Sequence, residues 1–229
     1  MSSRTRLTFH VNLSKTASDQ IVIQIADPQG IIADNLALAT WGSSEVLANT
    51  LHRLPIPDVS ATGLQTDVFP VLELGAGTGL VGLSAAAVWK CWTCLTDLPP
   101  ILPNLEANVA LNRDILAQHG GSAACGHDGA FKARVILAAD TVYSEEHPEL
   151  LTQAVTARLE KSDKARFVMC YPLRIGYLDH IRDLWERLET AGLVCVDEGR
   201  ESLDKSWDED TPYEWCVWRW QESSIQQRP

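Results

Sequence analysis

The sequence has no excess of basic residues. It contains 19 lysines and arginines against 30 aspartates and glutamates, and its formal net charge at pH 7 is −11. A protein that binds nucleic acid regardless of sequence needs a basic surface to neutralise phosphates, so this composition argues against that class. A negative surface suits a basic partner, such as a protein that presents lysines, and it equally fits a role in solubility alone.

Long apolar runs and clustered cysteines are also lacking. The N-terminal stretch MSSRTRLTFHVNL has no apolar core of a signal peptide, and no run approaches the ~18 residues of a membrane span. Cys91 and Cys94 form a single CxxC without the second cysteine or histidine pair of a structural zinc site. We therefore predict a monomeric, cytoplasmic protein with reduced thiols, no membrane contact and no metal.

Strand and helix patterns alternate along most of the chain. Apolar and polar residues alternate from Leu7 to Leu13, and QIVIQIA follows, which predicts an N-terminal β-ribbon. Farther on, the strand-like runs FPVLEL, CWTCLTD, RVILAAD and ARFVMCYP are separated by helical segments. We predict a ribbon extension over residues 1–37 and a Rossmann-like α/β domain over residues 38–229. Its doubly wound, mainly parallel seven-strand sheet would bring the carboxyl ends of its parallel strands to one rim, where ligands bind.

The stretch VLELGAGTGLVG gives the clearest chemical signal. Gly75, Gly77 and Gly79 lie where a strand turns into a helix, so the backbone can adopt positive φ and approach a ligand closely. Gly77 to Gly82 also satisfies GxGxxG, which by itself indicates a dinucleotide whose pyrophosphate lies at the helix N-terminus.

Two acids near this loop change that interpretation. Glu73, two residues before Gly75, would repel a pyrophosphate but could hold water or the cationic end of an amino-acid-like ligand. Asp97 ends the next strand, where a carboxylate can accept hydrogen bonds from ribose hydroxyls. A ligand with a ribose, no phosphate and a zwitterionic tail is S-adenosyl-L-methionine, which we predict as the cofactor.

Five stretches carry a resemblance to a known family: TWGSSEVLANTL, VLELGAGTGL, TDLPPILPNLEANVALN, VILAADTVYSEEHPELL and YEWCVWRW. They resemble the class I methyltransferases and, more narrowly, the seven-strand protein-lysine methyltransferases called family 16. The DxxY element, Asp140-Thr141-Val142-Tyr143, distinguishes this group from other class I enzymes. The stretches TWGSSEVLANTLHRL and TDLPPILPNL further resemble the fungal branch that acts on elongation factor 2.

The resemblance implies methyl transfer to a lysine side chain of a protein, with a translation elongation factor as the partner. Cofactor contacts would come from Trp41 at a helix start, from Gly75, Ala76 and Gly77, from Asp97, and from Ala139 at the fourth strand's end. Asp140 and Tyr143 would orient the amine by hydrogen bonds. Because an ionised carboxylate favours the protonated amine, we interpret Asp140 as a positioning acceptor rather than a strong base. Taken singly, Trp41 also fits a core aromatic, and Asp140 a helix N-cap beside a packing tyrosine.

One segment departs from the family pattern. Where a third strand should stand, the sequence offers only SAAC, and AACGHDGAFKA lacks the family's acidic-aromatic signature, with Asp128 as the remaining acid. The loss of a stacking aromatic costs on the order of 1 kcal/mol, so we predict weaker cofactor binding than in relatives. Two alternatives stay open: a methyltransferase-like binding module that has lost activity, and a nicotinamide-dependent oxidoreductase that uses the GxGxxG turn.

Overall fold

The N-terminal segment forms the predicted ribbon. The computed structural model describes residues 6–16, 18–26, 40–59, 68–126, 131–203 and 211–226. Strands β1 (Arg6–Asn12) and β2 (Gln20–Ala26) pair antiparallel, and Val11, Ile21 and Ile23 are fully or almost fully buried on one side. The predicted division between residues 37 and 38 lies outside the described residues and stays a prediction.

Seven strands form the central sheet. They are β3 (Val68–Leu74), β4 (Trp92–Thr96), β5 (Ser122–Cys125), β6 (Lys132–Ala139), β7 (Arg166–Pro172), β8 (Leu193–Glu201) and β9 (Tyr213–Trp220). Their order is β5-β4-β3-β6-β7-β9-β8, and β3 to β7 are mutually parallel, whereas β9 runs antiparallel to both β7 and β8. The predicted mainly parallel seven-strand sheet is thus confirmed.

Helices cover both faces of the sheet. They are α1 (Gly42–Thr50), α2 (Leu80–Val88), α3 (Leu102–Gln118), α4 (His147–Arg158), α5 (Leu178–Thr190) and the short α6 (Glu222–Gln226). No helix in the described ranges combines the length and the apolarity needed to cross a membrane.

The strand β6 shows why the sheet is buried on both sides. Val135, Leu137 and Ala139 pack in the core cluster of α1 and α2, whereas Ile136 and Ala138 pack in the cluster of α4 and α5. Successive side chains of a strand point to opposite faces, so a continuous apolar run is required where both faces are covered. Each buried Val, Leu or Ile side chain contributes roughly 1.5–3 kcal/mol.

The edge strand β5 is the short element expected from SAAC. Its four residues pair parallel with β4, from Ser122 opposite Trp92 to Cys125 opposite Leu95. Asp128, the acid that remained from the family signature, lies outside the described residues.

The CxxC pair is split between the two sides of the sheet. Cys91 packs in the cluster of α1 and α2, and Cys94 packs in the cluster of α4 and α5. Burial raises the pKa of Cys91 to about 12 and that of Cys94 to about 11, so both remain neutral thiols at physiological pH.

Candidate active site

The glycine loop between β3 and α2 has the backbone conformation that its sequence predicts. Gly75, Gly77 and Gly79 have φ angles of 61°, 56° and 84°. The Ala76 N–H donates to the carbonyl of Thr96 at 3.0 Å, which fixes the loop against the end of β4. Residues with a Cβ rarely adopt such positive φ angles, so the loop depends on glycine at these positions.

Asp97 lies against this loop. Its Oδ2 accepts from the Gly77 N–H at 2.6 Å, and its Oδ1 accepts from the Leu98 N–H at 2.7 Å. The carboxylate is partly exposed at the end of β4. Each carboxylate oxygen can accept more than one hydrogen bond, so Asp97 retains capacity for ligand hydroxyls beside the loop amide. The structure therefore brings together Gly77 and Asp97, which the sequence predicted as parts of one cofactor site.

Glu73 points into the protein beneath the loop. It is 2% exposed, and its Oε2 accepts from the Gly82 N–H of α2 at 2.9 Å. Burial raises the pKa of Glu73 to about 8; the Gly82 hydrogen bond opposes this rise and the charge of Asp97 adds to it. Near neutral pH the carboxyl is therefore mostly protonated. Its predicted contact with a ligand stays a prediction.

Gly82, the last glycine of the GxGxxG turn, has a local structural explanation. A Cβ added there would lie 2.5 Å from Glu73 Oε2 and 3.0 Å from the side chain of Leu95. The glycine therefore makes room for a buried carboxyl group. This explains the motif without a pyrophosphate and weakens the oxidoreductase alternative.

A second polar contact to the loop comes from α3 and was missed in the sequence. Asn108 is fully buried; its Nδ2 donates to the carbonyl of Thr78 at 2.9 Å, and its Oδ1 accepts from the Ala26 N–H at 2.9 Å. One turn later, Asn112 Oδ1 accepts from the Gln24 N–H and Asn112 Nδ2 donates to the Gln24 carbonyl. The sequence signal for these contacts was the pair of asparagines at i and i+4 in NVALN, which lie on the same helix face as apolar residues. Asparagines buried on such a face need hydrogen-bond partners from another segment.

The DxxY loop follows β6 and contacts the glycine loop. A Cβ on Gly75 would lie 2.9 Å from Thr141 Cγ2, so the two loops touch where only glycine fits. Asp140 itself has a φ of 55°, and its N–H donates to the carbonyl of Cys170 at 2.9 Å. Ala139 is the last residue of β6 and is 9% exposed, directly before this turn.

Tyr143 is 55% exposed and is held by His147, which the sequence did not suggest. The Tyr143 N–H donates to His147 Nδ1 at 3.2 Å, and the two rings meet edge to face with centroids 4.2 Å apart. The pKa of His147 is lowered mainly by burial, which favours the neutral imidazole that can accept at Nδ1. His147 therefore orders the end of the DxxY loop at the start of α4.

Arg174, two residues after β7, joins two predicted site residues and was also missed. Its Nη1 lies 3.9 Å from Asp140 Oδ1, and its guanidinium carbon lies 5.7 Å from the centroid of the Trp41 ring. Trp41 directly precedes α1 and is partly buried. A basic residue just after a buried parallel strand was the signal for Arg174, because that position falls on the ligand rim.

The residues around the glycine loop fit a ribose-bearing ligand without phosphate. Asp97 is a carboxylate acceptor beside the loop, and Glu73 is close enough for the two carboxyl groups to interact. A diphosphate would add negative charge next to Asp97, whereas ribose hydroxyls would donate to it. Gly77 has a φ of 56° and no Cβ, which permits close approach of a ligand to the loop backbone.

Comparison with known proteins gives consistent matches. A family model described as lysine methyltransferase matches residues 18–182. The chain is 32% identical over 231 residues to the protein-lysine N-methyltransferase EFM2 of Saccharomyces cerevisiae, covering 86% of this chain and 54% of that protein. It is 31% identical over 173 residues to the protein-lysine N-methyltransferase rrg1 of Schizosaccharomyces pombe, covering 69% and 54%. The chain thus spans about half the length of these curated relatives.

Solved structures support the fold. The ribosomal protein L11 methylase of Lactobacillus delbrueckii subsp. bulgaricus matches with a TM-score of 0.54 at 14% identity, covering 93% of this chain and 98% of that one. The magnesium protoporphyrin IX methyltransferase of Synechocystis PCC 6803, with bound S-adenosylmethionine, matches with a TM-score of 0.54 at 14% identity, covering 77% and 79%. At these identities the likeness establishes the fold alone.

Proposed function

The chain belongs to the lysine methyltransferase family, and from that premise we propose that it transfers methyl groups from S-adenosyl-L-methionine to a lysine side chain of a protein. The contact between Gly75 and Thr141 is the observation that carries this proposal. It sets the loop proposed to hold the cofactor directly against the loop proposed to hold the amine. Methyl transfer between two bound groups requires such proximity.

The proposed cofactor residues surround the glycine loop. Gly75, Ala76 and Gly77 would contact the methionine part through their backbone, and Asp97 would accept from the ribose hydroxyls. Trp41 and Ala139 would line the remaining walls, and Glu73 would support the loop from below. The positive φ angles and the Asp97–Gly77 hydrogen bond support this arrangement, because they preorganise the loop.

The amine would be held by Asp140 and Tyr143. When bound, S-adenosyl-L-methionine would supply a methyl group on a sulfonium; the amine lone pair would form the new bond to carbon, and the electron pair of the broken carbon–sulfur bond would stay on sulfur. The methylated nitrogen would then lose a proton to water. Asp140 and Tyr143 would each accept a hydrogen bond from an N–H of the neutral amine, which leaves its lone pair free to face the methyl carbon. Their contribution is therefore orientation rather than strong base catalysis.

We further propose that the substrate is elongation factor 2 and that the protein acts as a monomer in the cytoplasm. The resemblance of TWGSSEVLANTLHRL and TDLPPILPNL to the fungal branch supports this substrate. The net charge of −11 suits approach to a surface that presents lysines.

Incubation of the purified protein with radiolabelled S-adenosyl-L-methionine and a yeast lysate tests the proposal. We expect one labelled band near the mass of elongation factor 2, with a methylated lysine identified by mass spectrometry. The Asp140→Asn variant should label that band more weakly. Label at another mass would contradict the substrate, and the absence of any label would contradict the methyltransferase function.

The short β5 strand favours one second candidate, a binding module without turnover. Because β5 has only four residues, it would offer few contacts to the adenine part of a bound cofactor. Thermal shift separates the candidates: stabilisation by S-adenosylhomocysteine without transfer to any lysate protein would indicate the module. Stabilisation by NAD instead would indicate the oxidoreductase alternative.

A further inference from the structure

We propose that Arg174 is a positioning residue whose charge, acting beside Asp140, favours the neutral form of the substrate amine. This inference rests on the proposed methyl transfer to lysine. It assigns a task to a residue that lies at the junction of the two proposed half-sites and that the proposed chemistry has so far not used.

Arg174 is fixed at the rim by its place in the chain. It follows β7 and precedes a single turn of 3-10 helix, Ile175–Tyr177, while the neighbouring Leu173 N–H donates to the carbonyl of Pro212 at 2.9 Å. Its side chain is 25% exposed, and its guanidinium lies within cation–π range of the Trp41 ring. This contact with Trp41 restricts the position of the guanidinium group.

The charge acts on Asp140 without a hydrogen bond. The 3.9 Å between Arg174 Nη1 and Asp140 Oδ1 exceeds hydrogen-bond length, so the contact is mainly electrostatic. An amine that donates to the same oxygen would lie within about 7 Å of Nη1. At such distances a like charge disfavours the protonated amine, whereas Asp140 alone would favour it.

This arrangement answers the difficulty that an acidic residue raises in the site. The amine must lose its proton before it can attack, and its ordinary pKa is about 10.4. Asp140 offers an acceptor for orientation but stabilises the ammonium form. Arg174 offsets that charge while leaving the acceptor geometry in place, so orientation and deprotonation can occur together.

In the described part of the chain, the strands packed around Asp140 carry further titratable groups. Cys170 on β7 is a neutral thiol, since burial first and then the charge of Asp140 raise its pKa well above the ordinary value. Glu214 on β9 accepts from the Tyr171 hydroxyl and from Arg200 Nε, and Glu201 on β8 pairs with Arg53.

Two helices also carry titratable groups whose pKa values are shifted. On α4, the pKa of His147 is lowered, first by burial and also by the charge of His180 on α5. On α1, burial raises the pKa of Glu45. Arg174 thus places a cation 3.9 Å from the Asp140 carboxylate.

The test is the pH dependence of methyl transfer to the proteins of a yeast lysate at saturating S-adenosyl-L-methionine. The rate should fall at low pH as the bound amine becomes protonated. In Arg174→Gln the amine pKa rises because a positive charge is lost, so this acid limb should move about one pH unit higher. The rate on the limb should then be about tenfold lower. Arg174→Lys, which keeps the charge, should restore most of the wild-type profile.

Two controls separate charge from other causes. Arg182→Gln removes the same charge from an exposed pair with Asp179 on α5 and should leave the profile unchanged. Calorimetry with S-adenosylhomocysteine provides a readout that needs no turnover, and Arg174→Gln should bind it within about threefold of wild type. A thermal melt confirms that the variant is folded.

Each contrary outcome has a distinct meaning. An active wild type whose acid limb is unchanged in Arg174→Gln would overturn the role of Arg174 and leave methyl transfer intact. A large loss of S-adenosylhomocysteine affinity would also overturn it, because Arg174 would then serve the cofactor. A wild type without transfer at any pH would overturn the proposed function, and this inference with it.

Discussion

Replacing Glu73 with glutamine should remove much of the stability loss that we expect between pH 5 and pH 7. Glu73 is 2% exposed, and burial raises its pKa from 4.5 to about 8. Between these values the folded protein binds more protons at Glu73 than the unfolded chain does. The free energy of unfolding therefore decreases as pH rises through this window, and it is highest below the unfolded pKa.

The size of the pKa shift of Glu73 determines how much the free energy of unfolding changes with pH. One pKa unit corresponds to about 1.4 kcal/mol, so the total decrease in the free energy of unfolding approaches ~5 kcal/mol above pH 8. Integration of the proton uptake places about 2.5 kcal/mol of this between pH 5 and pH 7. Glutamine carries no charge at either pH, and its amide oxygen can still accept from the Gly82 N–H that bonds Glu73 Oε2.

Urea unfolding at pH 5 and pH 7 measures the free energy of unfolding of wild type and of Glu73→Gln at each pH. Other groups also titrate in this range, so the change between the two pH values in wild type is compared with the change in Glu73→Gln. We expect the two changes to differ by about 2–3 kcal/mol. Glu186→Gln, which removes an exposed acid from α5, should behave as wild type. Equal changes in wild type and Glu73→Gln would refute a protonated Glu73 in the folded protein.

Four further predictions concern the site and its support. Asp140→Asn and Tyr143→Phe should each lower turnover by about 10- to 100-fold, because each changes a hydrogen bond that orients the amine, but should change S-adenosylhomocysteine affinity less than about threefold; calorimetry beside a transfer assay checks this, and equal losses would contradict it. Gly75→Ala should weaken that affinity and cost about 1–2 kcal/mol, because φ is 61° and the added Cβ meets a methyl group at 2.9 Å. Gly176→Ala, whose Cβ meets nothing within 4 Å, is the matched control and should be silent. Asn108→Ala should lower the free energy of unfolding by about 2–4 kcal/mol, since it leaves two buried backbone groups unsatisfied; a loss below ~0.5 kcal/mol in urea would refute this. Calorimetry should also show S-adenosyl-L-methionine binding weaker than low micromolar, because β5 is short and its segment lacks the family's aromatic; a low-micromolar value would count against this.

The sheet was predictable because its strands are continuous apolar runs bounded by turn residues. RVILAAD predicted a buried strand, and β6 spans Lys132–Ala139. The extent of α3 was harder to predict. Its buried positions Leu105, Val109 and Leu116 follow helical spacing, but Asn112 interrupts the apolar pattern between them. That asparagine is buried because it pairs with the ribbon, and such a partner is invisible in local periodicity.

The site was predictable where local backbone chemistry determines it. Glycines between a strand and a helix predicted positive φ, and Asp97 at a strand end predicted a position beside them. The inward direction of Glu73 and the contact of Arg174 with Asp140 depend on pairing between segments distant in sequence. A pattern of single residues contains no information on which way a carboxylate turns, so these contacts required the structure.

The asparagines of α3 also bear on how the N-terminal ribbon relates to the rest of the chain. Asn108 bonds the backbone of Ala26 in β2 with one end of its amide and the carbonyl of Thr78 in the glycine loop with the other. Neither bond is exposed to water, so the loss of the ribbon partner would leave a buried acceptor on the side chain that anchors the loop. We infer that the ribbon and the glycine loop are stabilised together, and that the extension acts as part of the scaffold that orders the proposed cofactor site. The N-terminal ribbon, which the sequence sets apart from the Rossmann-like domain, is thus hydrogen-bonded through Asn108 to the loop of the proposed cofactor site.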